Sequence, residues 1–167
     1  GNTCGFVASR AHHAEIGGSR PGSMPPDATS LIEEGVVFSP QLIVQGGVFD
    51  RNKVVTQLTS GPWPTRGLGD NVADLEAMIA ANERGRIGLE RLISEHGAEQ
   101  VANQMSQLQS YAERLAKEAI EALPDGRRTA YEQLDDGTPL QVTIDITGSQ
   151  ARFDFTGSGA VHPGNLN

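Results

Sequence analysis

The sequence predicts an α+β fold, and three observations carry that reading. Residues 1–69 are rich in glycine and proline and hold only short β-like runs. Residues 70–123 place apolar side chains at helical intervals, and residues 127–160 alternate with a period of two. The expected order is a β/loop part, an antiparallel helical hairpin, and an antiparallel β-hairpin or three-stranded sheet. All three belong to a single segment, 1–167.

In the first part the β-like runs are Phe6-Val7-Ala8, Gly35-Val36-Val37-Phe38 and Leu42-Ile43-Val44. Between them, Gly17 to Asp27 sets Pro21, Pro25 and Pro26 among glycines and serines, which forbids a regular helix. A loop of that length inside a compact domain is uncommon unless it binds something.

The first expected helix carries Leu75, Met78, Ile79, Leu89, Leu92 and Ile93 on roughly one face. Asp70 and Asn71 are its candidate N-caps, and Gly97 suits its left-handed end after His96. Gly85 and Gly88 each weaken a helix by about 1 kcal/mol relative to alanine, so a bend or a close packing contact is expected there. In the second helix Val101, Met105, Leu108, Ala112, Leu115, Ala119 and Ala122 follow a four-three alternation. That is the seam of a helix packed lengthwise on another. Pro124-Asp125-Gly126 stops it.

In the last part Leu140, Val142, Ile144 and Ile146 share one face, and Gln141, Thr143 and Asp145 share the other. Gly148-Ser149 turns the chain into a second strand carrying Ala151, Phe153 and Phe155. Tyr131 to Leu134, followed by Asp135-Asp136-Gly137, adds a third antiparallel strand.

Composition excludes several classes of function. The net charge is −8, against the basic footprint that nucleic acid requires. No apolar run approaches the roughly 20 residues needed to span a bilayer, so no membrane partner is expected. The chain shows no signal peptide, and its single cysteine, Cys4, cannot form an internal disulfide, which suits a reducing cytoplasm. The chain opens without methionine and stops without a closing element, so it reads as an excised piece of something longer.

The chemistry-bearing cluster is His12, His13 and Glu15, placed before a Gly-Gly loop. Imidazole nitrogen with carboxylate oxygen suits a divalent transition metal. If the stretch is extended, His13 and Glu15 share a face; if it turns, His12 and Glu15 converge. The plainer reading is a pair of partly exposed histidines beside a turn. Gly17, Gly18 and Ser23 could form an anion-binding nest, with Arg20 adding charge. Glu33-Glu34 reads as a solvated acidic pair, and His96 as a helix C-terminal cation. His162 lies in a terminal loop, and Trp63 is a packing anchor between prolines.

Several runs together resemble the hydantoinase B family, and within it the 5-oxoprolinase branch. They are Ser9-Arg10-Ala11-His12-His13-Ala14-Glu15-Ile16-Gly17-Gly18, Pro21-Gly22-Ser23-Met24-Pro25-Pro26, Glu34-Gly35-Val36-Val37 and Leu42 to Phe49. Asp70 to Leu75, Ala80-Ala81-Asn82, Phe153 to Gly157 and Gly164 to Asn167 extend the likeness.

The resemblance implies a partner domain or subunit of the hydantoinase A type, which uses ATP and Mg²⁺ to phosphorylate the oxygen of a cyclic amide. The hydantoinase B part then completes hydrolysis of that intermediate. By resemblance, His12 is a metal ligand with Glu15 as companion and His13 beside them, and Arg10 and Glu15 are the candidate catalytic residues. The metal is divalent: Mn, Zn, Fe or Mg. Relatives usually carry aspartate where this chain has Glu15, and further ligands are expected upstream of residue 1. The full-length protein is expected to be an oligomer, and the isolated chain to be inactive. The rival readings are an acetone or acetophenone carboxylase segment, and a non-catalytic scaffold assembled through the second helix.

Overall fold

A computed structural model describes residues 3–165. The chain divides into two compact units, one running up to Glu90 and resuming at Pro163, the other spanning Arg91–His162. This division differs from the three zones read from composition.

In the first unit, a segment without regular structure enters a 3-10 turn at Pro21–Ser23 and then a short helix α1, Leu31–Glu34. Strands β1 (Val44–Gln45) and β2 (Val48–Phe49) form a tight antiparallel hairpin. Its two linking residues, Gly46 and Gly47, have φ of +56° and +80°, the conformation that suits glycine at a two-residue turn. Helix α2 (Arg51–Leu58) follows, then α3 (Leu68–His96), whose residues from Arg91 onward belong to the second unit.

Helix α2 is not what the β-branched Val54-Val55-Thr56 run suggests. Its start is set by Asp50, whose carboxylate accepts from the Lys53 amide at 3.0 Å. Val54 and Leu58, four residues apart, are fully buried on one face and pack with Val72 of α3. Ile16, Phe38, Ile43, Phe49, Leu68 and Leu75 surround them. The core of this unit therefore sits in the part that composition marks as β and loop.

Of the expected early strands, only Val44 lies in one. Phe6-Val7-Ala8 lies in no strand, and Gly35–Phe38 donates two backbone bonds, from Gly35 to the Leu31 carbonyl at 3.2 Å, closing α1, and from Val36 to the Ile16 carbonyl at 2.8 Å. Helix α3 starts two residues before the expected cap, because the Asn71 amide already reaches back to the Gly67 carbonyl at 3.0 Å. The close contact expected in its middle is real at Gly85, where a Cβ would stand 2.6 Å from Val7. Gly88 faces open space.

The second unit holds helix α4 (Ala98–Glu121) and strands β3 (Gly126–Gln133), β4 (Pro139–Thr147) and β5 (Gln150–Asp154). Gly97, at φ +85°, joins α3 to α4 at the expected joint of the helical hairpin. The strands form the expected three-stranded antiparallel sheet in the order β3-β4-β5, with Tyr131 opposite Gln141 and Ile144 opposite Phe153. β3 starts at Gly126, well before Tyr131, directly after the Pro124 stop.

Two packing expectations are corrected here. No described residue of α4 is buried, and Met105, Leu108, Tyr111 and Leu115 are exposed, so its four-three seam is not covered. The helix is supported instead by surface pairs such as Arg114 to Glu118 at 2.7 Å. In β4, Thr143 and Ile146 are both buried although they point to opposite faces, while Leu140 is exposed. The strand is therefore covered unevenly rather than on its apolar side alone. Among the described residues no helix is long and apolar enough to cross a membrane.

Candidate functional site

The site lies in the first unit and is built around one carboxylate. Residues 12–16 bend at Ala14 as they reach the first turns of α3. Glu15 is consequently brought beside a loop some fifty positions along the chain. Its carboxylate accepts from the Gly17 amide at 2.8 Å, the Gly67 amide at 2.8 Å and the Asn71 side-chain amide at 3.0 Å. The Thr65 hydroxyl and the Arg66 amide also donate to it. Burial works to raise the Glu15 pKa, but the Thr65 hydroxyl and the amides of Gly17, Gly67 and Arg66 outweigh it and hold it at about 2.

Arg66 closes the arrangement from the other side. Its guanidinium donates to the Gly18 carbonyl at 2.8 Å and to the Gly17 and Arg20 carbonyls at 3.4 Å, and lies 3.9 Å from Glu15. Ser23 bridges the loop internally: its hydroxyl accepts from the Ile16 amide at 2.7 Å and donates to the Gly17 carbonyl at 2.5 Å.

Gly17 and Gly18 are required sterically. Both have positive φ, +84° and +89°, and a Cβ on them would collide with the carbonyl oxygens of Trp63 and Glu34 respectively.

At the expected anion nest of Gly17, Gly18 and Ser23, the donors meet acceptors of the protein itself. The Gly17 amide donates to Glu15, the Gly18 amide to the Trp63 carbonyl at 3.1 Å, and the Ser19 amide to the Glu33 carbonyl at 2.7 Å. Arg20 forms a two-point ion pair with Asp27. The donors that would receive an anion are already committed within the protein. Glu33 likewise has a local task, since its carboxylate accepts from the Thr29 and Ser30 amides at 2.7 and 3.1 Å in a capping box.

The two histidines separate. His13 is largely covered, with 16% of its side chain exposed, and its Nδ1 lies 3.1 Å from Asp74 Oδ2. Glu15 and His13 thus meet Asn71 and Asp74, three residues apart on α3, with a bend of the chain at Ala14 between them. His12 and Arg10 are exposed and pair with no described residue. In the other unit, His162 Nε2 lies 2.7 Å from Asp136 Oδ2, which gives this terminal-loop histidine an acidic neighbour.

Among the described residues no group of three or more His, Cys, Asp or Glu is arranged to hold a metal ion. The fit to a metal is therefore partial. His12 and the outer nitrogen of His13 are available donors, whereas the Glu15 oxygens face N–H and O–H hydrogens, surroundings suited to an anion rather than a cation. Thr65, Arg66 and Asp74 carry no signal of this role in the sequence, and Asn71 carries only that of a helix cap. No local spacing links them to Glu15.

The class of protein is defined by comparison over the whole length. The model of the hydantoinase B/oxoprolinase family matches residues 1–167, and the chain belongs to that family. It is 37% identical to 5-oxoprolinase 1 of Arabidopsis thaliana over 97% of this chain, and 37% identical to 5-oxoprolinase of Dictyostelium discoideum over the same share. It spans only 15% and 13% of the lengths of those two relatives. A protein of Pseudomonas sp. (strain NS671) named as a D-/L-hydantoinase subunit is 33% identical, with 92% of this chain and 27% of the relative covered. Among solved structures, the ATP-dependent caprolactamase from Pseudomonas jessenii is similar with a TM-score of 0.72 and 25% identity, over 85% of this chain and 25% of that one.

Proposed function

We propose that this chain is part of an ATP-dependent hydrolase that opens a cyclic amide, with 5-oxoproline or a hydantoin as substrate. One observation carries the reading: the whole chain matches a family whose similar members are named for oxoproline, hydantoin and caprolactam, all of which contain a ring amide.

The chemistry is consistent with a two-part enzyme. A ring amide is resonance-stabilised and poorly electrophilic. Transfer of the γ-phosphoryl group of ATP to its oxygen, at a hydantoinase A-type domain or subunit, makes that oxygen a leaving group. Water then adds at the same carbon, the C–N bond breaks with a proton delivered to nitrogen to leave an acyl phosphate, and a second water displaces phosphate from the acyl carbon to give the carboxylate. The product is glutamate from 5-oxoproline, or an N-carbamoyl amino acid from a hydantoin. A divalent metal held by His12 or His13 together with residues outside this chain would supply a nucleophilic hydroxide near neutral pH.

The chain's own residues have distinct tasks in this proposal. Glu15, Thr65, Arg66 and Asn71 fix the loop so that the histidine segment is held rather than mobile. Arg10, exposed and unpaired among the described residues, is free to meet the negative charge of the phosphorylated intermediate. A cytoplasmic location and an oligomeric full-length protein are part of the same proposal.

The test supplies the full-length protein with ATP and, in turn, 5-oxoproline, a hydantoin and acetone with bicarbonate. Ring opening of one of the first two is expected, and the isolated 167-residue chain is expected to open neither. Bicarbonate-dependent carboxylation of acetone in place of ring opening would assign the carboxylase chemistry instead.

A further inference from the structure

We infer that Asp74 is a positioning residue, which fixes the tautomer and ring orientation of His13 so that Nε2 is presented as its lone-pair atom. The inference deepens the proposed function, resting on the reading that the histidine segment faces the reacting centre, and it selects His13 where the family resemblance selects His12.

Three observations carry it. The first is the contact itself, His13 Nδ1 to Asp74 Oδ2 at 3.1 Å. An ionised carboxylate can only accept, so Nδ1 must carry the hydrogen, and in a neutral imidazole Nε2 is then the bare nitrogen. The second is that the ring is held: only 16% of the side chain is exposed, whereas His12 is exposed and pairs with no described residue.

The third is that the attachment has two points on one rigid element. Asn71 of α3 grips Glu15 at 3.0 Å, and Asp74, three residues further on the same helical face, grips His13. Glu15 and His13 lie on either side of a bend at Ala14, and both meet that face. A helix face that secures both members of the pair sets the ring's position as well as its tautomer. Imidazoles that bind metal commonly donate their second N–H to a carboxylate in this way, which orients the ring and raises its basicity.

The test is imidazole ¹⁵N NMR on the 167-residue chain labelled at histidine, at alkaline pH, with only His12, His13, His96 and His162 to resolve. His13 is expected in the Nδ1–H form, the reverse of the preference of free histidine. Asp74→Ala should abolish that bias with the backbone amide spectrum otherwise preserved, and Asp74→Asn, whose side-chain carbonyl can still accept, should retain most of it. A wild-type His13 in the Nε2–H form would overturn the inference without recourse to any variant, as would a bias that survives Asp74→Ala. Titration with Zn²⁺ separates this claim from the functional one. A shift of the His13 Nε2 signal supports both, whereas a clear Nδ1–H bias with no response to zinc leaves the positioning role standing and removes His13 from the ligand set.

Discussion

At the scale of single residues, the most consequential is Glu15. Its sequence surroundings, two histidines and a glycine pair, suggest a metal ligand, but its oxygens are occupied by hydrogen-bond donors from Gly17, Thr65, Arg66, Gly67 and Asn71. The sign of its pH effect follows directly. A carboxylate ordinarily near 4.5 is held at about 2 when folded, so its contribution is fully present above pH 4.5 and is lost as pH falls toward 2. Glu15→Gln should therefore lower stability by about 2 kcal/mol at neutral pH and flatten the acid limb of the stability profile, as measured by urea unfolding across that range. An unchanged acid limb would mean that the cradle is not formed. Gly18→Ala should be harsher than an ordinary glycine replacement. A left-handed backbone costs about 1–2 kcal/mol for alanine, and the added Cβ also meets a backbone carbonyl that cannot swing away. Soluble yield and melting temperature would both fall. The motif around Glu15 is legible in the sequence as a feature, but its occupation is not, because all its partners except Gly17 lie fifty or more residues downstream.

At the scale of elements, legibility follows the length and regularity of the pattern. The two long helices, their joint at Gly97 and the three-stranded sheet follow from periodicity and turn residues. Helix α2 does not, because Val54-Val55-Thr56 has strand character, and only Asp50 as a cap with Val54 and Leu58 four apart points to helix. Burial is the least readable property. Leu58, in the helix that local propensity hides, is completely buried, and Leu108, in the cleanest seam of the sequence, is 68% exposed. The two positions make a sharp contrast for mutagenesis. Leu58→Ala should cost about 2–5 kcal/mol, while Leu108→Asp should stay within about 0.5 kcal/mol in the isolated chain. Equal losses in chemical denaturation would show that the α4 seam is covered and would restore the lengthwise packing that its four-three spacing implies.

At the scale of the whole molecule, the chain is a family segment and spans a minor part of its longer relatives. Its own contribution is a held loop and a pair of contacts on the histidine segment; the proposed ring opening would also need a phosphoryl donor and further ligands. Family membership is read from residues spread over the entire sequence, from Ser9 to Asn167, whereas the proposed reaction would rest on what the rest of the protein supplies. The most direct measurement is the stoichiometry of turnover by the full-length protein given ATP and 5-oxoproline, with ADP and glutamate quantified in the same samples. ADP and glutamate appearing together in equal amounts, and neither appearing when the other substrate is withheld, is the predicted result. ATP consumption with the ring intact, or ring opening without ATP, would contradict it.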